Sequence, residues 1–125
     1  MSGRKVTITA GDVTFTGELN ESSTAGKVWA ALPIQGSVNT WGDEIYFRTA
    51  VSDQEASDST DVFELGAVAY WPPGKALCIF FGPTPASSGQ EPRMASPGNL
   101  VGRIQGDLDR LRKVKPGTPI AVAKA

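Results

Sequence analysis

Glycine and proline separate short runs of β-prone residues along this chain, and that punctuation constrains its fold more than any other feature. Residues 4–9 and 12–18 are rich in Val, Thr, Ile and Phe and meet at Ala10-Gly11, where glycine supplies the positive φ of a tight hairpin turn. Residues 37–41 and 44–48 flank Gly42-Asp43 in the same manner, with Trp41, Ile45 and Phe47 carrying much of their apolar surface. Residues 62–65 and 67–71 lead through Pro72-Pro73-Gly74-Lys75 into 76–82. Pro73 and Gly74 suit the two central positions of a type II turn, because proline fixes φ and glycine accepts the left-handed conformation. The run from Ala76 to Phe81 is apolar on both alternating faces, the pattern of a strand packed on a core at one side and covered by a helix at the other.

Two segments depart from the β pattern. Ser22-Ser23 supplies hydroxyl caps ahead of 24–32, where Val28, Trp29 and Leu32 fall at helical spacing until Pro33 ends the run. Residues 107–114 align Leu108, Leu111 and Val114, with Asp107 at the start and Arg112, Lys113 and Lys115 at the end, complementing a helix dipole. Residues 52–61 have no periodicity and read as a solvated loop; 82–98, loaded with Pro, Ser and Gly, read as a long surface loop. Residues 100–105 and 118–123 complete the strands. About eight short strands and two helices predict a mostly β chain. Its expected form is a closed eight-stranded antiparallel barrel with two short helices at its ends, a two-layer sandwich being the alternative. A length of 125 residues predicts a single domain over 1–125.

Charge and residue usage narrow the functional classes. With 12 Lys+Arg against 13 Asp+Glu, the chain lacks the global positive field that draws proteins to phosphate backbones, so nucleic acid is not an expected partner. No run approaches the roughly 18 apolar residues of a membrane span, and the first residues lack an apolar signal core, which predicts a soluble, cytoplasmic protein with no membrane partner. One cysteine, Cys78, makes no internal disulfide and no thiolate cluster. Histidine is absent, which excludes Ser-His-Asp and Cys-His catalysis and removes the commonest transition-metal ligand. Gly98 to Gly102 lacks the Gly-Lys-Ser/Thr ending of a phosphate loop. Neither a cofactor nor a metal is expected.

The residues able to carry chemistry cluster mid-chain. Trp41, Tyr46, Phe47, Tyr70, Trp71, Phe80 and Phe81 supply aromatic surface, most of it expected to fill the barrel. Tyr46, Tyr70 and Trp71 are the expected exceptions, each having a hydrogen-bonding tip near a turn. If the two central hairpins are neighbours, Asn39, Glu44 and Lys75 bring an amide, a carboxylate and an ammonium beside that surface, able to orient a polar ligand or move a proton. The candidate ligand-binding set is therefore Asn39, Trp41, Glu44, Tyr46, Tyr70, Trp71 and Lys75, with no catalytic residue identified. Cys78, between Leu77 and Ile79, is expected to be a buried structural thiol.

The segments from Val38 to Phe47 and from Tyr70 to Gly82 resemble signatures of a family of small prokaryotic proteins with a cyclophilin-like fold, typified by an uncharacterised Thermotoga protein. Leu19-Asn20, Pro83-Thr84-Pro85 and Gly102-Arg103-Ile104 extend the resemblance over nearly the whole chain. It implies an eight-stranded barrel with two helices. Cyclophilins proper are prolyl isomerases that lower a barrier of about 18–20 kcal/mol with an arginine beside the imide and a pocket that includes histidine. Their R-I-I-P-G-F strand is matched here by Asn39-Thr40-Trp41-Gly42, without arginine, and no histidine exists. The resemblance therefore implies the fold and not the isomerase residues. The leading expectation is a barrel that binds a small molecule or short peptide. Its alternatives are a divergent peptidyl-prolyl isomerase, an acid/base enzyme using Glu44 and Lys75, and an accessory protein acting through a protein partner.

Overall fold

The computed structural model describes residues 4–125, among which the chain forms ten strands and one α-helix. In chain order these are β1 (Lys5–Ala10), β2 (Val13–Leu19), α1 (Ser23–Ala31), β3 (Ile34–Ser37), β4 (Asn39–Thr40), β5 (Glu44–Arg48), β6 (Thr60–Val62), β7 (Ala67–Trp71), β8 (Ala76–Phe80), β9 (Arg93–Gln105) and β10 (Pro119–Lys124). Short 3-10 turns lie at Pro72–Gly74 and Leu108–Lys113. All pairings are antiparallel and follow the path β3-β10-β1-β2-β9-β7-β8-β5-β4, with β6 pairing separately on β9.

The mostly β, antiparallel architecture is as expected, but eight strands and closure by hydrogen bonds are not. The hydrogen-bonded path has two ends, β3 and β4, which are successive pieces of one stretch of chain. Between them Val38 turns its side chain into the core, while its N–H donates to the Thr118 carbonyl at 2.9 Å and its carbonyl accepts from Gly117 at 2.8 Å. The segment thus leaves β10 and joins β5 in sequence. The single strand expected at 37–41 is broken for that reason.

Period-two alternation sets the main core. Val6, Ile8 and Ala10 on β1 and Phe15 and Leu19 on β2 turn inward, where they meet Phe47, Val68, Tyr70, Leu77, Ile79 and Val122. Ser22 caps α1 by accepting from the Ala25 N–H at 3.2 Å, and Ala25 and Val28 pack into the same core. The second expected helix is a 3-10 turn. Leu108, Leu111 and Val114 recur every third residue, which matches three residues per turn better than 3.6.

Every residue of β8 is buried, as its double-sided apolar pattern predicts. The cover on its outer face is not a helix. Ala67, Ala69, Cys78 and Phe80 form a second, smaller cluster there with Phe63 and Met94, and the Phe63 and Phe80 rings stack with centroids 5.1 Å apart. Those covering residues come from the end of β6 and the start of β9. Residues 93–98, expected in a loop, are strand because they pair with β6 across a register shift, a partner that no local pattern reveals.

The loop at 52–59 is less solvated than its composition suggests. Asn99, buried on β9, donates to the Gln54 carbonyl at 2.9 Å and to Thr24 Oγ1 at 3.0 Å, and accepts from the Ala56 N–H at 2.8 Å. Tyr70 donates its hydroxyl to the Val51 carbonyl at 2.7 Å and accepts from the Asp53 N–H at 3.3 Å. The Thr24 hydroxyl, then the Gln54 N–H and Lys27, hold Asp53 below the usual carboxylate range. These bonds strap the loop across α1, β7 and β9. Asn99→Ala is expected to lower stability by about 1–2 kcal/mol, since it removes the bonds that Asn99 makes to Thr24, the Gln54 carbonyl and the Ala56 N–H, two of them part-buried backbone contacts. Denaturant unfolding measures the loss, and limited proteolysis should show cleavage shifting into 52–59.

Candidate functional site

The turn at Gly42-Asp43 positions the first part of the site. Gly42 has φ +61°, and a Cβ there would lie 2.9 Å from Thr84 Cα, so only glycine fits both the backbone and the approach. The Asp43 N–H donates to the Pro83 carbonyl and the Phe81 N–H donates to the Asp43 carbonyl, both at 2.9 Å. The Asp43 side chain turns away to Arg112 at 2.8 Å. Trp41 and Glu44 emerge on either side of this clamped turn, joined by a bond from the Trp41 N–H to the Glu44 carbonyl at 3.0 Å.

Strand register supplies the rest. On β5, Ile45 and Phe47 face the main core, which turns Glu44 and Tyr46 to the outer face. Tyr46 sits opposite Cys78 on β8, Cys78 opposite Ala69 on β7, and Trp71 opposite Ala76. The Trp71 indole N–H donates to Ser96 Oγ at 2.8 Å. Its ring lies over Gly74, where a Cβ would fall 2.8 Å from two ring carbons. That contact corrects the expected type II turn: glycine serves there as a platform for the indole, and the left-handed residue is Lys75, at φ 49°.

These elements border an open-sided cavity of about 280 Å³ lined by Trp41, Glu44, Tyr46, Trp71, Cys78, Met94 and Ala95. Four of the seven residues singled out from the sequence therefore meet at one place. The other three do not join them. Asn39 is exposed, its amide 3.5 Å from the Ser37 carbonyl; Lys75 is exposed at its turn; and Tyr70, one residue out of phase with Trp71, points into the main core. Cys78, expected only as a buried structural thiol, and Met94 and Ala95, which the sequence does not single out, complete the lining. Parity could have found Cys78, because it shares a face with Trp71 once the hairpin is folded, whereas Met94 depends on the non-local pairing of β9.

Glu44 dominates the electrostatics. Its side chain is 4% exposed, and no ion pair to it forms among the described residues. Burial pushes its carboxyl up to about 7, opposed by a hydrogen bond with the Cys78 thiol. Burial first, and then the Glu44 charge, push the thiol up as well, so Cys78 remains a protonated donor. A larger groove of about 480 Å³ opens between β6 and β9, lined by Glu18, Asn20, Phe63, Leu100 and Arg103 among others. On its rim Arg103 pairs with the exposed Glu64 at 3.1 Å. It contains no buried ionisable group.

Together, sheet and cavity define a small antiparallel β protein with an acid-bottomed aromatic pocket on its outer face. A family model described as Cyclophilin-like matches residues 4–123, and the chain belongs to that family. It is similar to a hypothetical protein of Archaeoglobus fulgidus whose structure was determined in solution. The two share 41% identity and a TM-score of 0.81 over 98% of this chain and 95% of that one. No match is found among curated proteins. The resemblance carried by the segments from Val38 to Phe47 and from Tyr70 to Gly82 thus holds at the level of the family.

The Glu44 shift has a definite sign. A carboxyl raised from 4.5 to about 7 stabilises the fold fully below pH 4.5, and that contribution is lost as pH rises through about 7. At about 1.4 kcal/mol per unit the loss amounts to about 3 kcal/mol. Thermal unfolding of Glu44→Gln should therefore match the parent near pH 4.5 and exceed it above pH 8. Parallel pH profiles of the two proteins would contradict the assignment.

Proposed function

We propose that this protein binds a small molecule, or the side chain of a short peptide, in the cavity of Trp41, Glu44, Tyr46 and Trp71. The observation that carries the reading is a buried carboxyl group in a cavity otherwise walled by three aromatic rings, Met94, Cys78 and Ala95. Small-molecule sites combine an apolar lining with a few placed polar groups, and perturbed acids favour such places. At about 280 Å³ the cavity suits a compact ligand or one group of a larger one. Asn39, Tyr70 and Lys75 lie outside this set. The near-balanced charge and single thiol support a soluble, cytoplasmic setting.

A second reading, proton transfer, is favoured by one observation: Glu44 titrates near neutrality, where a general acid or base works best. It would act without Lys75, whose ammonium stands outside the cavity. Prolyl isomerisation has less support, since the cavity holds neither arginine nor histidine. The protein is expected not to accelerate cis/trans exchange of proline peptides at concentrations where a cyclophilin proper does so readily.

Fragment screening by NMR tests the binding reading. Hits should shift the indole N–H signals of Trp41 and Trp71, and Tyr46→Ala and Trp71→Phe should each weaken binding about tenfold or more. Hits that bind both variants as well as the parent would remove the site from this cavity.

A further inference from the structure

Resting on the binding reading above, we infer that the ligand group taken by the cavity is a compact organic cation, an alkylated ammonium, seated against the π faces of Trp41, Tyr46 and Trp71 with Glu44 as its counter-ion. Three of the seven lining residues are aromatic, and none is Leu, Ile or Val. A ring face is negative and attracts a cation, most strongly for tryptophan and most of all where water is excluded. The thioether of Met94 adds a further polarisable wall.

Glu44 supplies the second argument. Buried charges in proteins are paired, and the six ion pairs formed among the described residues all lie elsewhere. The groups facing Glu44 bring no competing cation. Cys78 comes from β8 as a neutral thiol, Tyr46 lies on the same strand, Trp71 comes from β7, and Met94 and Ala95 come from β9. The adjacent Asp43 is turned outward to Arg112. Without a partner, burial favours the protonated carboxyl; a positive charge placed in the cavity is the group that would hold Glu44 ionised.

Hydrogen-bonding capacity selects the kind of cation. A primary ammonium presents three donors and needs three acceptors. The lining gathers its strong acceptors in the two Glu44 carboxylate oxygens and the Tyr46 hydroxyl, and the rest of the wall is ring faces, thioether, thiol and methyl, which meet an N–H poorly. Replacing N–H groups with methyls removes that demand and increases contact with the rings. Binding such a group favours ionised Glu44 and expels its proton, so affinity must rise with pH.

Choline and its uncharged carbon isostere, 3,3-dimethylbutan-1-ol, distinguish the cation from its shape. Titration of each into the full-length protein is followed through indole N–H signals. Trp29, which lies under Lys124 at 4.6 Å and outside the cavity, serves as an internal control. At pH 8 choline should bind at least tenfold more tightly than the isostere, shifting Trp41 and Trp71 but not Trp29. Lowering the pH to 5 should weaken choline about tenfold or more and leave the isostere unchanged, and Glu44→Gln should reduce the preference for choline, leaving the part due to the rings, and remove its pH dependence. An isostere that binds as tightly as choline at Trp41 and Trp71 would refute the cation while leaving the cavity as a binding site. Choline without saturable shifts at those two indoles would also refute it, and the fragment screen would then decide the cavity separately.

Discussion

Burying both faces of β8 is the constraint on which the rest of this structure depends. Leu77 and Ile79 complete the main core, so Cys78 and Phe80 face the other way, and a strand with no polar face must be covered twice. α1 is fully committed to the first core through Ala25 and Val28. The second cover is therefore built from the start of β9 and the residue that follows β6, paired across a register shift. Such a cover meets the outer face of β5 incompletely, and the space left between them is the cavity. The pocket is a consequence of how the sheet is roofed.

Polar interactions in the two regions differ in kind. Around Asn99 and Tyr70, each buried donor and acceptor finds a partner within the chain, and the result is a fixed loop. Around Glu44, a carboxylate is buried beside a thiol and three rings with no charge to balance it. A fold maintained only for stability would favour glutamine or an apolar side chain at that position. The contrast is between a polar network closed within the chain and a buried acid left without one.

Much of this was legible in the sequence where neighbours in the chain are neighbours in space. The hairpin of β1 and β2, the position of α1, and the β7 and β8 strands follow from alternation, capping and turn residues. The convergence of Trp41, Glu44, Tyr46 and Trp71 on one cavity was legible because they flank the two turns of adjoining hairpins. Tyr70 was misplaced by one residue of phase, and Lys75 by treating a turn residue as though its side chain followed the strand beside it. The fold of 93–98 and the contribution of Met94 were hidden because their partner, β6, is remote in sequence and only three residues long. Closure was overestimated for a related reason: a strand count says nothing about where the first and last members of a sheet meet.

The break at Val38 also bears on how this protein behaves in a crowded solution. An open sheet ordinarily exposes two rows of unpaired backbone groups, templates on which another chain can add a strand. Here the end strands are four and two residues long and are consecutive parts of one segment. Neither offers the long, flat edge that self-association requires. A sheet left open in its hydrogen bonding thereby gains much of the protection that a closed one would have against sticking to its own copies.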